Sequence, residues 1–282
     1  MDDSGVNECS GEGDTLRDEI KIAEVSERWK RSLELWKVPE ELLAKASKNP
    51  YRLTPRKFKP DQSRRQSGTV REIERLIDES SRRPKDLLDV GSGAGGISLL
   101  VGSKLESIIA IDQSKEMLDE LEVSAAELGL LERVTTLNSS WPASKPFAAD
   151  IVLSANVLYN VPDISPFISA LIDAANQSVV IEVTKNHPLS NVSPIFEHFH
   201  NISRPTTPTA HDVIEIVRAY GYEPRTESWV RSTSSHDITD EERLDEYQSR
   251  ACIEDERRAE LKEFLENNRL PSMEVVMISF DK

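Results

Sequence analysis

A glycine-rich turn is the part of this sequence whose residue types and spacing most directly suggest a chemistry. Residues 86–100 read DLLDVGSGAGGISLL, a short apolar run followed by a turn that holds four glycines. The pattern G-x-G-x-x-G runs from Gly91 to Gly96, and the pattern D-x-G-x-G-x-G runs from Asp89 to Gly95. The first pattern is typical of sites for nicotinamide or flavin nucleotides, whereas the second is typical of sites for S-adenosylmethionine.

The charge of Asp89 distinguishes these two ligands. In a dinucleotide site the glycine turn faces a pyrophosphate, which a carboxylate two residues ahead of the first glycine would repel. S-adenosylmethionine has no phosphate and carries an ammonium and a sulfonium group, which a nearby carboxylate attracts. Asp112, at the end of the next predicted strand, suits the ribose of either ligand. Asp89 therefore favours S-adenosylmethionine; the alternatives are a nicotinamide oxidoreductase and an Asp89 that only caps a neighbouring turn.

The composition is ordinary apart from a large excess of acidic residues. The 282 residues are 38% hydrophobic and 30% charged, with a formal net charge of −15, which argues against non-specific binding to nucleic acid. No apolar run approaches the roughly 18 residues of a membrane helix, and the amino terminus lacks the regions of a signal peptide. Cys9 and Cys252 lie far apart and indicate no disulfide framework. We therefore expect a cytoplasmic protein without a membrane segment.

Residues 52–65 depart from this acidic balance. The segment RLTPRKFKPDQSRR holds six arginines and lysines against one aspartate, a local charge of +5. Two interpretations remain open. The segment is either a solvated linker that offsets acidic neighbours, or an anion-facing rim for a phosphate, a carboxylate or RNA.

The order of the predicted elements indicates an α/β fold with a Rossmann-like, doubly wound sheet. Five apolar segments rich in β-branched residues alternate with helical patterns, and they span residues 86–91, 107–112, 133–138, 150–156 and 178–184. Strands that read as continuous apolar runs are buried on both faces by crossover helices. Two more strands are predicted, at residues 223–231 and at the MEVVMISF stretch near the end of the chain.

The other segments are predicted to surround this sheet. We expect residues 1–18 to be a disordered acidic tail and residues 19–66 to form a helical N-terminal cap and the basic linker. Residues 67–282 are assigned to the domain that contains the sheet. Within it, residues 186–211 are predicted to form a long proline-rich cap insertion. Long loops of this kind in a compact domain are usually functional. Residues 238–270 are predicted to form a charged helical segment.

Three segments within residues 67–282 resemble motifs of the class I S-adenosylmethionine-dependent methyltransferases. LLDVGSGAGGISL resembles the first motif of the family, IIAIDQSKEML the second-strand motif, and ADIVLSANVLYNVPDISPFI the fourth-strand motif. The resemblance implies a seven-stranded sheet with an antiparallel last strand, and an enzyme that transfers a methyl group. The stretch HPLSNVSPIFEHFHNISRPTTPTAHD is similar to a bacterial branch of the family that has no assigned function.

By position in these motifs, the resemblance also implies which residues hold the cofactor. Asp89 would bind the ammonium group of S-adenosylmethionine, and Asp112 would bind its ribose. The glycine turn would line the methionine moiety, and residues after the second and third strands would lie near the adenosine. The residues after the fourth strand would border the reactive methyl group. The expected set is Asp89, Gly91, Ser92, Gly93, Gly95, Asp112, Gln113, Met117, Asn138, Ser139, Ser154, Ala155 and Asn156.

Candidate catalytic residues follow from the chemistry of methyl transfer. The cofactor supplies the reactivity of the in-line displacement, so the protein orients the reactants and excludes water. An oxygen acceptor can also need a base, for which histidine is the usual residue. His187 and His200 are the candidate bases, and Tyr159 is a candidate acceptor contact. No metal site is predicted, because no cysteine or carboxylate stands at a recognisable ligand spacing.

The predicted function is methyl transfer to an acceptor enclosed by residues 19–66 and 186–211. The acidic charge favours a small-molecule acceptor, and the basic segment keeps RNA or protein as the alternative. The stretch SANVLY differs from the [D/N]-P-P-[Y/F] sequence of members that methylate base amino groups, which argues against that activity. A non-catalytic regulatory protein that binds S-adenosylmethionine is a further alternative, since no acid or base is dictated by the sequence. The sequence predicts no particular oligomeric state.

Overall fold

A single mixed sheet organises the computed structural model, which describes residues 10–79, 85–231 and 240–282. Its strands are β1 Asp86–Val90, β2 Ser107–Asp112, β3 Val134–Asn138, β4 Ala149–Ala155, β5 Ala175–Thr184, β6 Arg225–Val230 and β7 Glu274–Asp281. They lie in the order β3-β2-β1-β4-β5-β7-β6. Strand β7 runs antiparallel to β5 and β6, and the other neighbours are parallel. The predicted α/β fold class and its antiparallel last strand are confirmed.

Helices cover the sheet and extend beyond it. Those in the described part of the chain are α1 Ser10–Glu34, α2 Glu40–Lys45, α3 Gly68–Glu79, α4 Ser98–Val101, α5 Lys115–Glu127, α6 Ile164–Ala174, α7 Ser193–His200, α8 Ala210–Ala219, α9 Asp240–Arg250 and α10 Arg258–Asn267. Two 3-10 turns, at Pro55–Phe58 and Gln62–Gln66, lie in the basic segment. None of the described helices combines the length and the apolar character that crossing a membrane requires.

Both faces of the sheet are buried, as its continuous apolar strands predict. Leu88 and Val152 belong to the core shared with α1, α6 and α8, whereas Leu87 and Ile151 belong to the core shared with α3, α4 and α5. Since successive side chains of a strand point to opposite faces, Asp89 lies on the same face as Leu87. The acid of the glycine motif is thus directed toward α3, α4 and α5.

Helix α1 packs against α6 and α8 and contributes to their core. The side chain of Trp29 is completely buried there, and its indole N–H donates to the carbonyl of Val161 at 2.9 Å. The helix begins at Ser10 and so includes residues 10–18 of the predicted tail, while residues 1–9 lie outside the described part. A helix anchored by Trp29 extends toward its amino end because propagation costs less than nucleation.

A smaller core joins the predicted cap insertion to the two helices before β7. Phe196 and Phe199 of α7 pack with Val38, with Leu244 of α9 and with Leu261 of α10. The insertion is therefore held by the charged helical segment and by the N-terminal region together. Residues 238 and 239 of the predicted helical segment lie outside the described residues. The division of the chain at residues 18 and 66 stays a prediction.

Candidate functional site

The glycine turn after β1 adopts a backbone that only glycine accommodates well. The φ angle is +70° at Gly91, +53° at Gly93 and +77° at Gly95, in the left-handed region that other residues rarely adopt. A Cβ atom at Gly91 would also lie 2.4 Å from Cγ2 of Val157, a residue that follows β4. The absence of side chains therefore lets the end of β1 approach the chain that leaves β4.

Asp89 is a buried carboxylate at the entrance of this turn. The residue is 2% exposed. Burial raises the pKa of Asp89 to about 7; the nearby Ser98 hydroxyl lowers it and the negative charge of Asp112 raises it further. No arginine, lysine or histidine of the described ranges acts on this carboxyl group. The fold thus contains a buried acid whose ionised form lacks a counter-charge.

Asp112 connects the end of β2 to the glycine turn. Its Oδ2 atom accepts a hydrogen bond from the Gly93 N–H at 2.8 Å, and its Oδ1 atom accepts one from the Ser114 N–H at 2.8 Å. Each carboxylate oxygen has a second lone pair. Asp112 is therefore fixed in orientation and can still accept hydrogen bonds from a ligand.

The residues predicted to lie near the adenosine gather at the ends of β2 and β3. The Asn138 side chain and the Ser139 N–H both donate to the backbone carbonyl of Asp112, at 3.0 and 3.1 Å. Gln113 is exposed directly after β2, and Met117 is buried in the first turn of α5. The structure therefore brings these residues to one edge of the sheet. The Asn138 amide and the Ser139 N–H already donate to the backbone there.

The residues predicted to border the methyl group lie at the end of β4. The hydroxyl of Ser154 is buried and has no hydrogen-bond partner among the described residues, and the same holds for Ser92 in the glycine turn. Ala155 is half-buried, and Asn156 has a φ of +61°. Unpaired buried polar atoms are uncommon in folded proteins, and left-handed non-glycine residues concentrate at functional sites. The unpaired hydroxyls and the left-handed conformation of Asn156 therefore indicate a candidate functional site at this end of the sheet.

A buried polar network beyond Asn156 was missed by the sequence analysis. Glu182 of β5 is 3% exposed and accepts hydrogen bonds from Thr69 at 2.6 Å, from the Asn156 amide at 2.7 Å and from Arg231 at 3.2 Å. Arg231 also donates to Oδ1 of Asn156 at 3.0 Å. The network fixes Asn156 in place. Its signal in the sequence is a single acid within the apolar run SVVIEVT.

His187 has a different role from the general base that was expected. Its ring stacks on Trp36 with centroids 4.1 Å apart, and its Nδ1 accepts the Leu189 N–H at 3.2 Å. Burial, with a contribution from the positive charge of Arg204, lowers the pKa of His187 to about 3. A nitrogen of such low basicity is a poor proton acceptor near neutral pH. The structure therefore places His187 as a packing and capping residue.

Tyr159 and His200 also serve the core rather than the glycine turn. The Tyr159 hydroxyl donates to the Thr184 carbonyl at 2.8 Å, and burial raises the pKa of this phenol. The Nε2 atom of His200 lies 2.7 Å from the Ala251 carbonyl. Both side chains thus bond to backbone carbonyls in the core, and their catalytic roles stay predictions. Within the described ranges, no three or more His, Cys, Asp and Glu side chains are arranged to hold a metal ion.

The lysines of the basic segment form ion pairs with acidic neighbours. Lys57 lies 2.7 Å from Glu246 of α9, and Lys59 lies 2.9 Å from Glu120 of α5. These contacts support the first of the two interpretations of the segment, in which its charge offsets surrounding acids. They also attach the segment to α9 and to α5.

Another part of the same segment packs directly over the glycine turn. A Cβ atom at Gly96 would lie 2.7 Å from the carbonyl oxygen of Phe58 and 3.2 Å from Nη1 of Arg64. Neither residue is among the site residues expected from the sequence. Their contact with the turn depends on how residues far apart in the sequence pack together.

Comparison with known proteins assigns a class to this fold and glycine turn. Residues 88–175 match the family model of a methyltransferase domain. This part of the chain is therefore a methyltransferase domain. No curated protein sequence matches the methyltransferase.

The fold of this methyltransferase is similar to that of solved structures. One is the YcgJ protein of Bacillus subtilis, with 14% identity, 76% of this chain and 97% of that chain covered, and a TM-score of 0.55. Another is magnesium protoporphyrin IX methyltransferase (ChlM) of Synechocystis, solved with bound SAH, with 14% identity, 76% and 82% covered, and a TM-score of 0.51. At these identities the likeness is one of fold.

The methyl donor of this class, S-adenosylmethionine, fits the chemistry of the site. No basic side chain of the described residues acts on the buried carboxylate of Asp89, and the ammonium group of the donor is a cation that could pair with it. Since the donor has no phosphate, the acid at the turn repels no part of it except its own carboxylate. The family assignment therefore decides between the two glycine patterns in favour of S-adenosylmethionine, and the individual contacts remain predictions.

Proposed function

We propose that this methyltransferase moves a methyl group from S-adenosylmethionine to a small molecule, with Asp89 as the counter-charge of the donor's ammonium group. The observation that carries the proposal is the position of Asp89, which is 2% exposed at the entrance of the glycine turn with no basic side chain of the described residues acting on it; this burial raises its pKa to about 7. An ammonium group beside this carboxylate favours its ionised form. Binding of the donor and ionisation of Asp89 are therefore coupled.

The other cofactor contacts follow the order of the strands. Asp112, held by the Gly93 and Ser114 N–H groups, accepts hydrogen bonds from the ribose hydroxyls. Asn138 and Ser139 lie next to it on the adenosine side, and the buried hydroxyl of Ser92 contacts the methionine moiety. These residues bind and orient the donor, which supplies the electrophilic methyl group when bound.

Orientation rather than a titrating base carries the rate in this proposal. Asn156 is fixed on both sides by Glu182 and Arg231, so its position at the end of β4 is rigid. Holding two reactants in line and excluding water can lower a barrier by several kcal/mol, about 7–11 in favourable intramolecular cases. His187 and Tyr159 contribute by packing the cap beneath the acceptor.

Four observations support a small acceptor. The net charge of −15 disfavours a nucleic acid, and two lysines of the basic segment are already paired with acids. A polar cavity at the carboxyl end of β5 is lined by Thr184 together with Asn186 and Ser190 of the cap insertion. The similar fold of ChlM belongs to an enzyme named for a porphyrin acceptor.

The proposal is tested first by calorimetry with S-adenosylmethionine, S-adenosylhomocysteine and NAD. We expect the first two to bind and NAD not to bind. Asp112→Ala should weaken S-adenosylhomocysteine binding about 100-fold, because hydrogen bonds to a charged group contribute ~1.5–3 kcal/mol each. Asp119→Ala, an exposed acid that pairs with Lys115 on α5, is the matched control. Equal or tighter binding of NAD would contradict the assignment.

The acceptor class is tested with S-adenosylmethionine labelled in its methyl group. The protein is incubated with a cell extract that has been separated into small molecules, RNA and protein. Label in the small-molecule fraction supports the proposal, and label in RNA or protein supports the alternative acceptors. Binding of the cofactor without label in any fraction would support the non-catalytic regulatory alternative.

A further inference from the structure

A small polar cavity lies at the edge of the sheet where β5 ends and β7 begins. Its volume is about 130 Å³, and its walls come from the end of β5, the start of the cap insertion, the end of β6 and the residues that lead into β7. The parallel strands β1, β4 and β5 all end at this edge of the sheet. The cavity is therefore on the same side of the fold as the glycine turn, but beyond β4.

The register of the strands gives the separation between this cavity and the end of β4. Ala155, the last residue of β4, pairs with Glu182 of β5. Thr184, two residues further along β5, lines the cavity. Neighbouring strands lie about 4.8 Å apart and two residues of a strand span roughly 7 Å, which places Thr184 roughly 8 Å from Ala155. One small molecule can bridge that distance.

Arg231 connects the cavity to the end of β4. Its guanidinium donates to Oδ1 of Asn156 at 3.0 Å and to Glu182 at 3.2 Å. A third contact, 3.7 Å long, joins it to Sδ of Met273, which lines the cavity. The backbone N–H of Arg231 also donates to the Met273 carbonyl at 2.8 Å. The same arginine thus fixes a wall of the cavity and the residue that follows β4.

The charges around the cavity cancel one another. Lys185 and Glu274 are the charged side chains among the described lining residues, and they pair at 2.8 Å. The guanidinium of Arg231 pairs with Glu182 at 3.2 Å. A charged ligand would compete with these ion pairs, whereas an uncharged ligand leaves them intact. The electrostatics of the cavity therefore favour an uncharged ligand.

Three uncharged polar side chains of the cavity have no hydrogen-bond partner within the described ranges. They are the amide of Asn186 and the hydroxyls of Ser190 and Ser272. Each of them can both donate and accept a hydrogen bond, which is also what a hydroxyl group of a ligand can do. Val230 and Met273 add a small apolar part to the lining. Such a lining matches a molecule that carries several hydroxyls on a carbon frame.

We propose that this cavity binds the acceptor, and that the acceptor is an uncharged, hydroxyl-rich molecule such as a sugar or a polyol. The inference rests on the proposed function and names the substrate class for it. Hydroxyls of the acceptor bond to Asn186, Ser190 and Ser272, and the part that receives the methyl group extends toward Asn156. Arg231 acts as a positioning residue that keeps the two ends of this path at a fixed separation.

The first experiment separates the small molecules of a cell extract by charge. Ion-exchange resins give anionic, cationic and neutral fractions, and each is incubated with the protein and S-adenosylmethionine labelled in its methyl group. We expect label in the neutral fraction, in a product that periodate degrades because periodate cleaves between neighbouring hydroxyls. Label in a charged fraction would overturn the inference, and so would a neutral product that resists periodate. Label in no small-molecule fraction would contradict the proposed function itself.

The second experiment asks whether the acceptor occupies this cavity. The rate of labelling is measured over a dilution series of the neutral fraction for the wild type, Ser190→Ala and Ser272→Ala. Each variant loses one neutral hydrogen bond, so its apparent KM should rise about fivefold, which corresponds to ~1 kcal/mol. Affinity for S-adenosylhomocysteine, measured by calorimetry, should stay at the wild-type value.

Ser103→Ala is the matched control. Ser103 is exposed in the turn just before β2, at the opposite edge of the sheet, and its variant should keep the wild-type KM. An unchanged apparent KM in both cavity variants would show that the acceptor binds elsewhere and would overturn the inference. An equal fall in affinity for S-adenosylhomocysteine would also overturn it, because that result indicates a general disturbance of the fold.

Discussion

The glycine turn and the aromatic stack of the cap both bury polar side chains, but only those of the stack have hydrogen-bond partners in the described residues. In the cap, a stack formed by Trp29, Trp36, Tyr159 and His187 joins α1 to the insertion after β5. Each of these four side chains makes a hydrogen bond to the backbone. The indole N–H of Trp36, for example, donates to the Thr207 carbonyl at 2.7 Å. The cap stack is neutral and satisfied, which is the condition for a stable core.

The glycine turn lacks this satisfaction. Asp89 is buried with its pKa raised to about 7, and the hydroxyls of Ser92 and Ser154 have no partner among the described residues. A buried group without a partner reduces stability. The polar groups of the cap stack are therefore paired and stabilise the fold, whereas Asp89, Ser92 and Ser154 are the groups that we propose to face the donor.

The largest effect that separates the two regions is expected from Asp89→Asn. The amide keeps the shape of the side chain and loses its charge, so S-adenosylhomocysteine should bind about 100-fold more weakly in calorimetry at pH 8, a loss of ~2.7 kcal/mol. The ligand-free variant should unfold at a higher temperature than the wild type at this pH, because the variant no longer buries an unpaired charge.

The matched control for this substitution is Asp86→Asn at the other end of β1. Asp86 accepts a hydrogen bond from Ser107 at 2.7 Å and lies at the amino end of the strand, away from the turn. It should leave ligand affinity unchanged. Normal binding by Asp89→Asn would remove the distinction between the two regions.

The pH dependence of binding should follow the same carboxylate. The pKa of Asp89 in the ligand-free fold is about 7, and the ionised form is the one that attracts the ammonium group. Affinity for S-adenosylhomocysteine should therefore fall as the pH drops from 7 to 5, by up to about tenfold per pH unit. Calorimetry across this range measures the slope, and Asp89→Asn should show none of it.

The stability of the ligand-free protein should change with pH in the opposite direction to the affinity. The folded-state pKa of Asp89 lies above its ordinary value of 3.8, so the folded protein binds more protons than the unfolded chain between about pH 4 and 7. This group therefore lowers the stability of the ligand-free protein as the pH rises through that window. Thermal unfolding of wild type and Asp89→Asn at several pH values isolates the contribution; parallel curves would argue against a raised pKa.

The smallest effect is expected in the cap, from His187→Phe. Phenylalanine keeps the stack on Trp36 but loses the Nδ1 acceptor of the Leu189 N–H, a loss of about 1 kcal/mol in the free energy of unfolding. Urea denaturation measures this change. Methyl transfer should stay within about threefold of the wild type because His187 does not titrate near neutral pH; a 100-fold fall in kcat would return His187 to the role of general base.

The sequence by itself determined the architecture and predicted where the donor binds. Apolar strands alternating with helices predict a sheet covered on both faces, and the spacing of Asp89, Gly91 and Gly93 predicts a ligand at the end of β1. Such features follow from local periodicity and from backbone angles that only glycine adopts readily, and both can be read along the chain. Only the boundaries of the elements, such as the start of α1 at Ser10, needed the structure.

Tertiary packing alone decided which polar residues are engaged and which are left without partners. His187 looks like a base in sequence, yet the rings of Trp36 and Tyr159 bury it and lower its pKa. Arg64 looks like one charge among many in a basic segment, yet it lies over the glycine turn. Burial and pairing depend on contacts between residues far apart in the chain, and these contacts set the protonation and the freedom of each group. These long-range contacts cannot be read from residue type and spacing along the chain.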